Sequence, residues 1–241
     1  MDKSAPKYDD LNNRYPGDFR ASEIILYSYG GVQFDISGLT SVVNVYQSLD
    51  SAFLSGNILF FDTMGISKSL PIIGNEHLEF KFRNPIEGEG DEELNATNHR
   101  FKVYEKRSVK TQQNVQAIAL FFTSIESVRN ERVRVSKSLE GSYAEMVDKL
   151  VKSDKDLLNT KKDLFIDPTL GNYKYTFPNV RPIDGVRMMT DLAEPVNFKT
   201  PHYMFYENNR GFHFRCLESL FREGADTTRN RPFVAFIDLL S

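Results

Sequence analysis

The chain has 241 residues, of which 40% are hydrophobic and 12% aromatic, and this is enough to form a substantial core. Its formal net charge of −3 argues against general binding to nucleic acids or acidic membranes. Cys216 is the single cysteine, so an internal disulfide framework is excluded. The sequence has no secretory signal at its start and no run of the roughly 20 apolar residues that a membrane helix needs. We expect a folded protein made in the cytoplasm.

The first part of the chain predicts an extended arm followed by a hairpin. Residues 1–21 are polar and include Pro6 and Pro16, which is typical of an arm that becomes ordered on a partner. Residues 23–29 and 32–36 are strand-like. Between them lies Gly30-Gly31, a dipeptide that tolerates the positive φ of a tight turn.

Residues 40–83 predict three strands in an antiparallel meander. The first and third, residues 42–46 and 78–82, alternate apolar and polar side chains, and the second, residues 57–61, is apolar on both faces. Leu54-Ser55-Gly56-Asn57 has the composition of the first turn, and residues 62–75 form the next connection.

After an acidic loop at residues 84–99, which lacks the ligand spacing of a calcium site, two further strands are predicted at residues 101–106 and 115–122. The second of these is again apolar on both faces. Such a strand is covered on both sides, either by a second layer of its own chain or by a neighbouring subunit. Residues 22–125 therefore predict a small barrel or sandwich of six or seven strands.

Residues 126–200 predict an insert that contains helices. Within residues 124–137 the basic residues alternate with Val133 and Val135, which indicates a strand with one solvated face rather than a nucleic-acid site. Ser142 and Glu145 have the spacing of a capping box at the start of an amphipathic helix. The proline-rich residues 166–182 predict an irregular crossing, and Pro182 begins a second helix at residues 183–193.

Residues 203–207 and 211–215 predict a hairpin around Asn208-Asn209-Arg210-Gly211, followed by a short helix at residues 217–221 and an apolar strand from residue 232.

No arrangement of residues points to catalysis. The four histidines lack zinc-ligand spacing, and His213 is predicted to lie on the polar face of a strand. A nucleophilic pair of Cys216 with His213 would need a third, orienting group. Asp50 and Asp62 are a carboxylate pair that a glycoside hydrolase would require, although carboxylates at strand ends are common. We therefore expect no catalytic residue, no metal and no cofactor.

Two stretches resemble a known family. VYQSLDSAFLSGNILFFDTMG with SLPIIGNEHLEFKFR resembles the first barrel of the central baseplate hub proteins of contractile-tailed phages, and MFYENNRGFHFRCLESLF is similar to the hairpin and short helix of that family. The order of barrel, helix, proline-rich crossing, helix and hairpin also matches, over residues 22–222. The resemblance implies a mostly-β α+β fold, with a tail-tube-like antiparallel barrel, a helical insert and, at residues 201–241, the beginning of a second barrel. It implies that this second barrel is truncated, reduced or completed by another polypeptide.

The function implied by the resemblance is structural and non-enzymatic. Hub proteins of this family are homotrimers that join the sixfold tail tube to the threefold spike in the virion baseplate. The implied partners are the spike protein, the tail tube or a tube-initiator protein, and the tape-measure protein in the lumen, with no specific nucleic-acid binding. The alternatives are a tail-associated hydrolase or carbohydrate-binding module, and a spike-base protein of a related secretion machine.

The candidate interface consists of the two strands that are apolar on both faces. Glu79 and Lys81 are candidates for facing an aqueous lumen, unless they are buried against protein. The interface candidates are Asn57, Ile58, Leu59, Phe60, Phe61, Val115, Ala117, Ala119 and Phe121.

Overall fold

The computed structural model describes residues 20–63, 65–66, 76–83, 98–110 and 116–225. The sequence-based expectations for residues 1–19, for residues 84–97 of the acidic loop and for the strand from residue 232 lie outside these ranges. Asn98 and His99, which were assigned to that loop, begin a strand instead. Among the described residues, no helix combines the length and the apolar character needed to cross a bilayer.

The first half of the chain forms a curled antiparallel sheet of seven strands in the order β2-β1-β5-β6-β7-β4-β3, so that β2 and β3 are its edges. The hairpin of β1 and β2 confirms the turn at Gly30-Gly31, where Gly31 has a φ of 83°. The strands are β1 (Arg20–Tyr27), β2 (Gln33–Asp35), β3 (Thr40–Tyr46), β4 (Ser55–Asp62), β5 (His77–Arg83), β6 (Asn98–Lys110) and β7 (Gln116–Ser124).

The predicted meander of residues 40–83 is wrong. β3 pairs with β4, but β5 is separated from β4 by β6 and β7 and pairs with β1 instead. The reason is the long connection at residues 63–76, because a tight turn would have forced β5 to lie beside β4.

The predicted turn at residues 54–57 is also wrong, since β4 already begins at Ser55 and the connection spans residues 47–54. Gly56 lies inside β4, where an added Cβ would collide with the Asn44 carbonyl oxygen and the Phe122 ring. This glycine therefore permits a close approach within the sheet.

One face of the sheet carries the first hydrophobic core, which we call the sheet core. Alternate residues of the strands point into it, as period-two alternation predicts. Its aromatic centre is a cluster in which the ring centroids of Phe80 and Phe101 are 5.1 Å apart and those of Phe101 and Phe122 are 4.8 Å apart. The sheet core consists of Ile24, Leu26, Ile36, Leu54, Ile58, Phe60, Ile66, Leu78, Phe80, Phe101, Val103, Ile118, Leu120 and Phe122.

The second half of the chain combines helices with short strands. β8 and β10 form an antiparallel pair, and the hairpin of β11 and β12 is extended by β9, which runs parallel to β12. The elements are α1 (Ile125–Arg132), β8 (Ser138–Gly141), α2 (Tyr143–Asp148) with a following π-helical turn (Lys149–Ser153), β9 (Asp163–Ile166), β10 (Tyr173–Thr176), α3 (Pro182–Leu192), β11 (Tyr203–Asn208), β12 (Gly211–Cys216) and α4 (Leu217–Ala225).

Two expectations for this half are wrong. Residues 125–132 form helix α1 instead of a strand, with Glu126 in the first turn and Arg129 and Arg132 in the last, where these charges complement the helix dipole. The crossing at residues 166–182 contains the end of β9 and all of β10. These strands pair with segments far away in the sequence, and local patterns do not reveal such pairing.

Other expectations are confirmed. Ser142 Oγ accepts a hydrogen bond from the Glu145 amide, and the Glu145 carboxylate accepts one from the Ser142 amide, so the capping box is complete. Pro182 lies in the first turn of α3, the hairpin of β11 and β12 forms, and α4 begins at Leu217.

The second half has its own core, which we call the mixed core. Side chains from α2, α3 and the β11–β12 hairpin meet there, together with Ala52 and Phe53 from the β3–β4 connection. The next residue, Leu54, belongs to the sheet core. The connection at residues 47–54 is therefore shared by both cores. The domain limits at residues 125 and 200 stay predictions.

Candidate assembly surface

The face of the sheet that points away from the sheet core, which we call the free face, carries a partly exposed apolar surface. On β4 it presents Leu59 and Phe61, and Phe61 is 37% exposed. On β7 it presents Ala117, Ala119 and Phe121, which are half-buried. The register places Leu59 opposite Ala119 and Phe61 opposite Ala117. The two strands thus form one continuous apolar surface.

The structure divides the predicted interface residues between the two faces of the sheet. Ile58 and Phe60 are completely buried in the sheet core and have no exposed surface to offer a partner. Val115 lies outside the described residues. The free face holds the remaining candidates, which are Asn57, Leu59, Phe61, Ala117, Ala119 and Phe121. The sequence analysis left open whether a second layer of the same chain or a neighbouring subunit covers these strands. The sheet core, which belongs to the same chain, covers one of their faces.

Neighbouring strands enlarge the free face with residues that the sequence analysis missed. Val42 of β3 lies opposite Leu59 and is 42% exposed. Tyr104 is 54% exposed, beside Phe121, and lies at an irregularity in the pairing of β6 with β7. The Arg107 guanidinium lies 4.7 Å from the centroid of the Phe121 ring. Strand order and this irregularity decide where these residues lie, and the local sequence pattern reveals neither.

The other half of the free face is polar. The Tyr27 hydroxyl donates a hydrogen bond of 2.7 Å to Glu79 Oε2, and Arg100 Nε lies 3.2 Å from Glu79 Oε1. The hydrogen bond to Glu79 raises the pKa of Tyr27. Tyr27 and Arg100 belong to the same sheet as Glu79, and the Glu79 side chain is 27% exposed. That Glu79 faces an aqueous lumen stays a prediction. The side chain of Lys81 lies outside the described part of the structure.

Where the two cores meet, six residues form a buried polar network that we call the junction cluster. Its centre is Glu207 of β11, which is 1% exposed. The Glu207 carboxylate accepts hydrogen bonds from the Leu54 amide at 2.9 Å, from Ser124 Oγ at 2.6 Å and from Lys162 Nζ at 2.6 Å. The members are Leu54, Ser124, Glu126, Thr160, Lys162 and Glu207.

Lys162 connects two carboxylates in this cluster. Its Nζ lies 2.8 Å from Glu126 Oε2, and Thr160 Oγ1 donates a 2.7 Å hydrogen bond to Glu126 Oε1. Burial by itself lowers the pKa of Lys162, but the charges of Glu207 and Glu126 outweigh it and raise that pKa above its usual value. Burial raises the pKa of Glu207. Lys162 therefore remains a cation inside the protein.

His213 does not lie on a polar face as predicted. Its ring stacks between Phe165 and Tyr206, with centroid distances of 4.7 and 4.9 Å, and Nε2 lies 2.9 Å from Asn208 Oδ1. β12 is the middle strand of its sheet, so His213 has Tyr206 opposite it on one side and Phe165 on the other, and this accounts for the burial of its ring. Burial lowers the pKa of His213 to about 4.

The pairs considered for catalysis do not come together. Because side chains alternate along a strand, His213 and Cys216 of β12 point to opposite faces. Asp50 precedes β4 and Asp62 ends it, so about 20 Å of strand separates them, well beyond the spacing of glycosidase carboxylates. Within the described residues, no group of three or more His, Cys, Asp or Glu side chains is arranged to hold a metal ion.

No family model and no curated protein sequence matches the chain. Its architecture does match solved structures. The 43 kDa tail protein of prophage MuSo2 from Shewanella oneidensis aligns with a TM-score of 0.51 and 8% identity, over 81% of this chain and 53% of that one. This chain has a phage tail-protein fold. The mostly-β, tail-tube-like fold expected from the sequence resemblance is confirmed.

Two other solved structures show weaker likeness. The prophage tail protein gp18 of Listeria monocytogenes gives a TM-score of 0.47 at 12% identity, over 80% of this chain and 50% of that one. An E. coli component of the type VI secretion system gives 0.41 at 12% identity, over 74% and 47%. The chain spans about half the length of these proteins.

Proposed function

We propose that this protein is a non-enzymatic structural component of a phage tail, and that it serves as the central hub of the baseplate. The observation that carries the proposal is the apolar half of the free face. Leu59, Phe61 and Phe121 form a partly exposed apolar surface around two alanines. Contact of such a surface with water is energetically unfavourable, and surfaces of this kind are typical of subunit interfaces. The tail-protein fold supports the same proposal.

In this proposal the protein is a homotrimer. The apolar half of the free face packs against a neighbouring subunit, and repeating that contact around a threefold axis closes a ring. The alanines Ala117 and Ala119 leave space between larger side chains, into which side chains of the neighbour fit. The ring connects the sixfold tail tube, or a tube-initiator protein, to the threefold spike.

The polar half of the free face is proposed to line the tail channel, through which the tape-measure protein passes. Glu79 and Arg100 neutralise each other there, and the Tyr27 hydroxyl caps the carboxylate. A lining with paired charges holds a passing polypeptide less strongly than a lining with charge of one sign. The site of action in this proposal is the baseplate of the virion, after synthesis in the host cytoplasm.

The test is the absolute mass in solution by light scattering, at several concentrations, with and without candidate spike and tube proteins. The wild type is expected to be a trimer, alone or on addition of the spike. Leu59→Asp is expected to be a folded monomer. The matched control is Leu192→Asp, which places the same charge at a residue that is 44% exposed in α3 and leaves the trimer intact. A wild-type monomer indifferent to both partners contradicts the proposal.

A further inference from the structure

The junction cluster joins parts of the chain that are far apart in sequence. The Leu54 amide belongs to the β3–β4 connection, Ser124 ends β7, and Glu126 lies in the first turn of α1. Lys162 precedes β9, and Glu207 lies near the end of β11. Glu207 therefore binds the second half of the protein directly to the seven-stranded sheet, through the Leu54 amide and the Ser124 hydroxyl. Lys162 connects Glu207 to Glu126 of α1, the helix that continues directly from β7.

Buried ion pairs contribute little net stability, because taking the charges out of water costs about as much as their attraction returns. Their hydrogen bonds are directional, however, and only one arrangement satisfies them. The apolar contacts at the same boundary depend less strongly on the relative orientation of the two halves. Phe53 meets Phe212 edge to face at a centroid distance of 6.2 Å, and such ring pairs tolerate a range of angles.

The charges of the cluster increase its sensitivity to geometry. Two carboxylates share one ammonium group, which also lies 5.5 Å from the centroid of the Phe212 ring. His99 of β6 is the next titratable group, and burial together with the charge of Lys162 lowers its pKa to about 4, so that it adds no charge at neutral pH. If the sheet turned against the second half, Glu207 would lose its donors while remaining buried.

We propose that Lys162, Glu126 and Glu207 form an orienting joint, which fixes a single angle between the sheet and the second half of the protein. The joint determines orientation rather than overall stability. This role belongs to the single folded chain and does not depend on the proposed hub function.

The experiment measures the distance between nitroxide labels at Ser41 and Arg187, two exposed positions on β3 and α3, by double electron–electron resonance. All proteins carry Cys216→Ala, so that only the two introduced cysteines react. Labelled protein is diluted with unlabelled protein, so that distances between subunits do not contribute. The test variant combines Glu126→Gln, Glu207→Gln and Lys162→Met, which removes every charge from the joint and keeps its shape.

The wild type is expected to give one narrow distance distribution. In the triple variant the distribution is expected to become at least twice as wide, while the thermal midpoint is unchanged or higher. The control is Lys137→Met with Asp154→Asn, which removes an ion pair away from the junction cluster and should leave the distribution narrow. A triple variant that keeps the wild-type distribution overturns the proposal. A triple variant that unfolds also overturns it, since the cluster would then be a source of stability.

Discussion

The two cores of the protein use their strands differently. In β4 and β7 burial alternates, so the sheet core takes one face and leaves the other partly exposed. In β12 almost every residue is buried, with Phe212 and Phe214 in the mixed core and the His213 ring between the rings of Phe165 and Tyr206. Among the described residues, the mixed core thus belongs to a region that buries both faces of its central strand, whereas the sheet buries one face of β4 and β7 and leaves the other partly exposed. In the proposed trimer, this difference gives the contact between subunits to the sheet and a supporting role to the second half.

Phe122→Ala gives the sharpest test of the two faces of β7. Phe122 is wholly buried in the sheet core, and we expect its loss to lower the free energy of unfolding by about 4 kcal/mol. Phe121→Ala, one residue earlier on the free face, should cost about 1 kcal/mol or less in a monomer. Urea unfolding followed by circular dichroism measures both. Equal losses would mean that the two faces are not distinct.

Lys162→Met tests the boundary between the cores. It leaves Glu126 and Glu207 buried without their cation, and we expect a loss of about 3 kcal/mol at neutral pH. Lys161→Met changes the exposed neighbour and should alter stability by about 0.5 kcal/mol at most. The measurement is urea unfolding of both variants beside the wild type. A Lys162 variant as stable as the Lys161 variant would show that the ammonium group is dispensable.

The buried histidines should make stability depend on pH. The pKa of His213 is about 4 in the folded protein, below its ordinary value of 6.5, so the unfolded chain takes up the proton first as the pH falls. The contribution of the His213 imidazole to the free energy of unfolding is present above pH 6.5 and is lost between pH 6.5 and 4. Over this range the free energy of unfolding falls by at most about 1.4 kcal/mol per pH unit.

His213→Phe keeps the stacking on Phe165 and Tyr206 and cannot titrate. Unfolding curves at several values between pH 7 and pH 5 should therefore show a shallower slope for this variant than for the wild type. The pKa of His99 is also lowered to about 4, so the free energy of unfolding of the variant still depends on pH in part. Parallel slopes in variant and wild type would contradict the assignment.

Ser142→Ala should give the smallest of these effects. It removes the side chain that accepts the Glu145 amide at the start of α2, and we expect a loss of about 1 kcal/mol. Ser138→Ala is the comparison, at an exposed strand position in the same half. Thermal unfolding of both variants measures the difference. No change on Ser142→Ala would mean that neighbouring packing holds α2 without its cap.

The sequence predicted what depends on neighbouring residues. Period-two alternation located most strands of the sheet, and the capping box at Ser142 located α2. It did not predict which strands pair, because the position of β5 beside β1 depends on a long connection. Helix α1 was mistaken for a strand because Val133 and Val135 alternate with charged residues just after the helix ends.

The same limit applies to the functional surfaces. Ile58 and Leu59 are equally apolar, and only the fold shows which of them is buried in the sheet core. In the junction cluster, Lys162 has the same side chain as Lys161, and its partner Glu207 is 45 residues away. Glu207 stands among aromatic residues in YMFYE, and this was the one local sign that a carboxylate would be buried.

Among the described strands, β3 lies at an edge of the seven-stranded sheet, and this has a consequence for the free protein. Its sequence, TSVVNVY, contains neither a charged residue nor a proline, which are two of the devices that prevent edge-to-edge pairing of sheets, and the irregularity in its pairing is confined to its beginning, between Thr40 and Val42. Val42 and Tyr46 are exposed beside this edge. In the proposed trimer, a copy that has not yet bound its neighbours is therefore prone to aggregation through β3, and this loss becomes faster as its concentration rises. If the protein assembles as proposed, prompt binding to its neighbouring subunit protects it from this loss.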